Sequence, residues 1–166
     1  MDSIDFTYLY QWPQKYTFQA TKVKQWVEKW CRGHTLNLFA GKTLLDLDVD
    51  EIRIDLDHEC PADFHMDAKD YVDLCIKDNH RFHTIILDPP WSLRQSRECY
   101  DGRWIGNLTE IKNKILTICY PDTRIITFGR DTVGMSKKRG FKKIAICLTC
   151  HGGANCDSIG LVEEKI

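Results

Sequence analysis

Apolar residues along this chain recur in two rhythms, one near every third or fourth position and one in short dense or alternating runs. The first rhythm governs 17–32, "TFQATKVKQWVEKWCR", where Phe18, Val23, Trp26, Val27 and Trp30 share a stripe that predicts a helix, with Gly33 as its natural C-cap. It returns in "KDYVDLCIKD" (69–78). It returns again in "LTEIKNKILTICY" (108–120), where Leu108, Ile111, Ile115, Leu116 and Ile118 form the stripe and Pro121 stands just beyond. The second rhythm predicts strands at "TLNLFAG" (35–41), "EIRIDLD" (51–57), "FHMDA" (64–68) and "FHTIIL" (82–87), the last being the most apolar. Three more follow at "TRIITFG" (123–129), "KKIAICLTC" (142–150) and "SIGLVEE" (158–164), the final two joined by the turn-forming "HGGANCD".

Strand and helix alternate through most of the length. That order predicts an α/β fold with a mostly parallel central sheet of about seven strands and an antiparallel hairpin at the C-terminus. The stretch is read as one domain, 1–166, with an N-terminal arm and helix over 1–33 and no separate target-recognition domain. The aromatic N-terminus (Phe6, Tyr8, Tyr10, Trp12, Tyr16, Phe18) is read as a packed arm. In a parallel sheet ligands gather beyond the carboxyl ends of the strands. "FAG", "DLD", "MDA" and "DPPW" all stand at such ends, so one cleft is expected to collect them.

Composition narrows the setting. At 166 residues the chain is long enough for a core without staples. Lys and Arg total 23 against 24 Asp and Glu, a net charge of −1, so a polyanion would have to be met by a local patch. Eight cysteines would suggest disulfides in a secreted chain, but "MDSIDFTYLY" has no basic or apolar leader, so free thiols and a cytoplasmic location are expected. No apolar run approaches a bilayer span.

The chemistry concentrates in "LDPPWS" (87–92). The exocyclic amine of a nucleobase is a poor nucleophile because its lone pair is delocalised into the ring. An acid at Asp88 can accept one of its N–H bonds and the carbonyl of Pro89 the other, turning the lone pair outward. Pro89 and Pro90 suit that task because each fixes its own φ and pushes the preceding residue into extended geometry. Trp91 offers a face for an unpaired base, an interaction worth roughly 1–3 kcal/mol. Such a site works by positioning, not by proton removal.

"TIILDPPW" resembles the catalytic motif of the S-adenosylmethionine-dependent amino-methyltransferases, in which Asp-Pro-Pro-Tyr/Trp goes chiefly with adenine N6 and Ser-Pro-Pro-Tyr more with cytosine N4. "LNLFAG" is similar to that family's cofactor loop. The resemblance implies a Rossmann-like class I methyltransferase that moves a methyl group to the N6 amine of adenine in DNA or RNA. Its alternatives are a cytosine-N4 or small-molecule amine methyltransferase, and a non-catalytic RNA-binding or scaffold subunit of the same fold. By the same resemblance Phe39, Ala40 and Gly41 approach the methionine part of S-adenosylmethionine. Asp55 holds the ribose hydroxyls with Asp57 as second acid, and Asp67 with Ala68 meets the cofactor's adenine. Asp88, Pro89, Pro90 and Trp91 are then the catalytic group. "RGFKKIAIC" is like the family's element before the terminal hairpin. The chain departs from the pattern in having one glycine where the family often has two, Asn37 for a common Asp, and too short a stretch for a helix in "KTLLDLDVD". No insertion of target-recognition size follows the motif, so short loops, a second copy of the chain or a partner subunit would read the substrate.

Other motifs carry less. "FAGKT" lacks the glycine a phosphate loop requires five residues before Gly41, where Leu36 stands. "CLTCH" has the spacing of a haem-attachment motif, but Cys147 and Cys150 fall on opposite faces of a strand, so no metal site is expected. Two patches remain as substrate contacts. One is the loop holding Arg94, Arg97, Tyr100, Arg103 and Trp104, which mixes cations with stacking rings. The other is "KKRGFKK", with Lys137, Lys138 and Arg139.

Overall fold

The computed structural model describes residues 3–90, 108–153 and 155–166. Seven strands form one sheet: β1 (Asp5–Tyr10), β2 (Thr35–Leu38), β3 (Glu51–Ile54), β4 (Phe82–Leu87), β5 (Cys119–Gly129), β6 (Phe141–Cys150) and β7 (Ser158–Lys165). Their order across the sheet is β1-β6-β7-β5-β4-β2-β3. All neighbours run parallel except β7, which is antiparallel to both β5 and β6.

The apolar runs become the centre of the sheet because both of its faces are covered there. Ile85, Ile86 and Leu87 of β4 have no exposed surface, and burying each such side chain contributes roughly 1.5–3 kcal/mol. Helix α1 (Thr21–Trp30) lies on one face, where Val23, Trp26 and Val27 pack with Ile86, Ile126, Phe128 and Val162. Helices α2 (Ala68–Lys77) and α3 (Leu108–Ile115) lie on the other, packing Val72, Ile111 and Ile115 against Ile85, Leu87 and Ile125. No helix follows β2, in keeping with the short stretch there; Leu45 of that connection packs into the α1 layer instead.

Several expectations shift. The predicted helix over 17–32 is a 3₁₀ turn at Thr17–Gln19 and a separate α1 that ends at Trp30, with Cys31 as its C-cap. Gly33 serves closeness: a Cβ there would lie 2.7 Å from the His83 ring. The third predicted strand, 64–68, reduces to one bridge between Phe64 and Ile54, because the chain turns at once into α2. The N-terminal arm contains β1, an edge strand parallel to β6. Its alternation was hidden because aromatic residues occupy the exposed face: Phe6, Tyr8 and Tyr10 are at least half exposed. The seven cysteines among the described residues are free. No helix among the described residues is long and apolar enough to cross a membrane.

Candidate cofactor and acceptor site

The carboxyl ends of β2, β3 and β4 open into a cleft of about 410 Å³. Phe39, Ala40 and Gly41 form one wall directly after β2. The turn is wound by two left-handed residues, Phe39 at φ +64 and Gly41 at φ +63. A Cβ on Gly41 would also come within 3.0 Å of the Tyr16 ring, so a bare backbone is needed for the chain to close here.

Two residues of the β3 edge hold this turn. Asp55 accepts the N–H of Gly41 at 2.8 Å on one oxygen and the N–H of Asp57 at 2.9 Å on the other. Arg53, only 6% exposed, donates to the carbonyls of Ala40 and Gly41 at 3.1 and 3.0 Å and to that of Pro61 at 2.7 Å. Nothing in the sequence marked Arg53, since a charged residue in an alternating strand reads as a solvent-facing one. Its burial follows from what surrounds it, three carbonyls and Glu51 at 3.3 Å.

The other expected cofactor residues divide. Asp57 lines the cleft while its carboxylate accepts the N–H of Glu59 at 3.0 Å. Asp67 does not line it; it is the N-cap of α2, accepting from the Lys69 N–H at 2.8 Å. Its neighbours Met66 and Ala68 supply apolar cleft surface instead. Across the mouth Lys42 and Glu59 form an ion pair at 3.1 Å. Tyr16, Thr17 and Phe18, from the segment before α1, close the side opposite β3. The alternating pattern could not show this, because a chain crossing over the strand ends has no periodicity.

Asp88 follows β4 directly and faces this cleft together with Pro90. Desolvation pushes its carboxyl up to about 7, and the Thr17 hydroxyl, which donates to it, pulls the other way. A second cavity of about 190 Å³ lies behind the two prolines, between the ends of β4 and β5 and the start of α3. Pro90 borders both spaces.

The remaining expected contacts fall elsewhere. Trp91, Arg94, Arg97, Tyr100, Arg103 and Trp104 lie outside the described residues. Lys137, Lys138 and Arg139 form a 3₁₀ turn just before β6. Because β6 runs parallel to β5 and β4, that turn sits at the end of the sheet opposite Asp88. Lys137 and Lys138 are exposed, while Arg139 is tied to Asn113 at 2.8 Å and to the Met135 carbonyl at 3.1 Å. Among the described residues no group of three His, Cys, Asp or Glu side chains is placed to hold a metal ion.

No family model matches the chain, and no curated protein matches it. Solved structures do. A protein from Streptococcus mutans assigned to the SAM-dependent methyltransferases aligns with a TM-score of 0.58 at 14% identity, over 86% of this chain and 48% of its own. TrmN from Thermus thermophilus aligns with a TM-score of 0.56 at 15% identity, over 92% and 50%. A further assigned methyltransferase, complexed with SAH, aligns with a TM-score of 0.52 at 14% identity, over 79% and 44%. This chain thus spans about half the length of the structures it matches. Its seven-stranded sheet with one reversed strand, β7, is the Rossmann-like arrangement of the class I methyltransferases.

Proposed function

We propose that this protein transfers a methyl group from S-adenosylmethionine to the exocyclic N6 amine of adenine in nucleic acid. The observation that carries the reading is the position of Asp88. It is a desolvated carboxyl just beyond the interior strand β4, facing the larger cleft, with the two prolines forming the border to a smaller one.

The larger cleft suits the cofactor in size and chemistry. It is lined by Asp55, Asp57, Glu59 and Asp88 against Lys15 and Lys42, an acidic surplus that favours a sulfonium cation. Gly41 brings bare backbone to one end, and Met66 and Ala68 offer a flat apolar surface to a purine at the other. Asp57 lines the same cleft one turn on and is the acid placed toward a ribose, while both oxygens of Asp55 hold backbone N–H groups. S-adenosylmethionine supplies an activated methyl group when bound.

The chain's own residues then orient the acceptor. The Asp88 carboxylate accepts one N–H of the amine and the Pro89 carbonyl the other, so the nitrogen lone pair points across Pro90 toward the larger cleft. With S-adenosylmethionine bound, this nitrogen would take the methyl group, and the electron pair of the broken S–CH₃ bond would stay on sulfur. The surplus proton on the methylated amine then leaves to water. The Thr17 hydroxyl favours the ionised form of Asp88, the only form with a full set of acceptor lone pairs.

The test is direct. Purified protein is incubated with methyl-labelled cofactor and matched pools of DNA and structured RNA, which are then digested to nucleosides. Label in N6-methyladenosine or its deoxy form is the expected result. Label in N4-methylcytosine alone would transfer the reading to cytosine, and absence of cofactor binding in a titration would favour the non-catalytic scaffold.

A further inference from the structure

The smaller cavity has its own chemistry. Its walls are Leu87 of β4 with Pro89 and Pro90 beyond it, Gly129 at the end of β5 with Arg130 and Asp131 after it, and Leu108 and Lys112 from α3. At about 190 Å³ it is below the ~300 Å³ of ordinary ligand pockets, a space for one ring system and not for a whole nucleotide.

Two cations, Lys112 and Arg130, stand in this wall, and Lys112 is tied to a backbone carbonyl beside it. Its Nζ donates to the carbonyl of Gly134 at 2.9 Å, the one acceptor it meets among the described residues. Gly134 is itself pinned. Glu163 of β7, fully buried, accepts the N–H of Met135 on one oxygen and that of Ser136 on the other at 3.2 Å. A side chain on Gly134, whose φ is +55, would collide with that carboxylate. Lys143 completes the arrangement at 3.4 Å from Glu163.

A buried acid in the sheet therefore fixes a turn, and the turn fixes an ammonium at the edge of a ring-sized space. Burial opposes the charge on Lys112, while Asp131 and Glu163 sustain it. An ammonium has three donors and no acceptor, so beyond Gly134 it still has N–H bonds to offer.

Resting on the proposed methyl transfer, we propose that the smaller cavity receives the acceptor's ring and that Lys112 is a specificity-determining residue there, donating to a ring nitrogen beside the reacting amine. The chemistry selects a base whose amine stands beside an unprotonated ring nitrogen, which admits adenine and cytosine and disfavours guanine. The adenine amine is flanked on both sides by ring nitrogens that carry lone pairs, N1 and N7, and a donor at the wall satisfies either. The amine of guanine has a ring N–H on one side, and a donor facing a donor is repelled. Polar sites of this kind discriminate strongly because the wrong partner leaves a buried group unpaired.

The experiment compares wild type with Lys112→Met and Lys112→Gln on an oligonucleotide in which wild type methylates adenine. The target adenine is replaced in turn by 7-deazaadenine and 1-deazaadenine, each of which lacks one flanking nitrogen. Wild type should lose about 10–100-fold in kcat/KM with one of the two analogues. Both variants should lose a similar factor on natural adenine, show no added loss with that analogue, and bind S-adenosylmethionine as wild type does. Variants that keep the natural rate, or keep full sensitivity to the analogue, would overturn the role of Lys112 while leaving the methyl transfer standing. A wild type that methylates no adenine in any nucleic acid would overturn the acceptor reading, and this inference with it.

Discussion

Asp55 holds Gly41: the carboxylate takes the N–H of the only glycine in the turn after β2 at 2.8 Å. An acid two strands removed from β4 thereby sets the shape of one wall of the larger cleft. Arg53, two residues earlier on the same strand, takes the carbonyl of the same glycine at 3.0 Å. The turn is clamped on its donor and its acceptor together.

Gly41→Ala is expected to weaken cofactor binding about tenfold or more. A side chain at φ +63 is strained by roughly 1–2 kcal/mol, and here it also meets Tyr16 at 3.0 Å. Gly140→Ala is the matched control, since φ is +78 but nothing lies within 4 Å of the new Cβ. Calorimetric titration with S-adenosylhomocysteine should show the loss for the first and near-normal affinity for the second.

Arg53→Met should cost stability first and cofactor affinity second. Removing the guanidinium leaves buried carbonyls of Ala40, Gly41 and Pro61 without their donor, a penalty of about 2–4 kcal/mol. Urea denaturation should show the midpoint falling with an unchanged slope.

Turnover should rise with pH through about 7, because only the ionised form of Asp88 can take the amine's N–H on either oxygen. Thr17→Val removes the hydroxyl that favours ionisation, so its kcat/KM profile should move to higher pH, and Thr17→Ser should restore the wild-type profile. A Thr17→Val profile unchanged in position would detach Thr17 from Asp88.

Stability should show the opposite trend. An aspartate in the unfolded chain titrates near 3.9, and in the fold Asp88 titrates at about 7. A carboxyl raised in this way contributes stability that is present in full below about pH 4 and lost as pH climbs through 7. Asp88→Asn has no such loss. At pH 8 it should be more stable than wild type by about 2 kcal/mol, less than the full shift would give because Asp88 is only half-buried, and it should be inactive. Thermal melts at pH 5 and pH 8 check the crossing.

Much of the architecture was legible in the residues. Six of the seven predicted strand regions, 35–41, 51–57, 82–87, 123–129, 142–150 and 158–164, contain a strand, 51–57 over its first four residues. Dense apolar runs need cover on two sides, and that requirement has few solutions other than a central sheet. The turn after β2 and Asp88 could be placed at one end because parallel strands bring their carboxyl ends together. Phe64 defeated the pattern, since a strand of one bridge has no period to read.

Periodicity reports that a residue is covered and never by what, and this separates the two kinds of knowledge here. The chain's own pattern determined the alternating order, the reversed final strand and the acid that follows the most apolar strand. Only the folded arrangement decided that β1 joins the edge beside β6, that Asp67 caps a helix and that Arg53 is buried against three carbonyls. It alone set Thr17 on Asp88 and Lys112 on a turn fixed by Glu163. Each of those contacts joins segments remote in sequence, where the energy depends on a partner that local spacing cannot name.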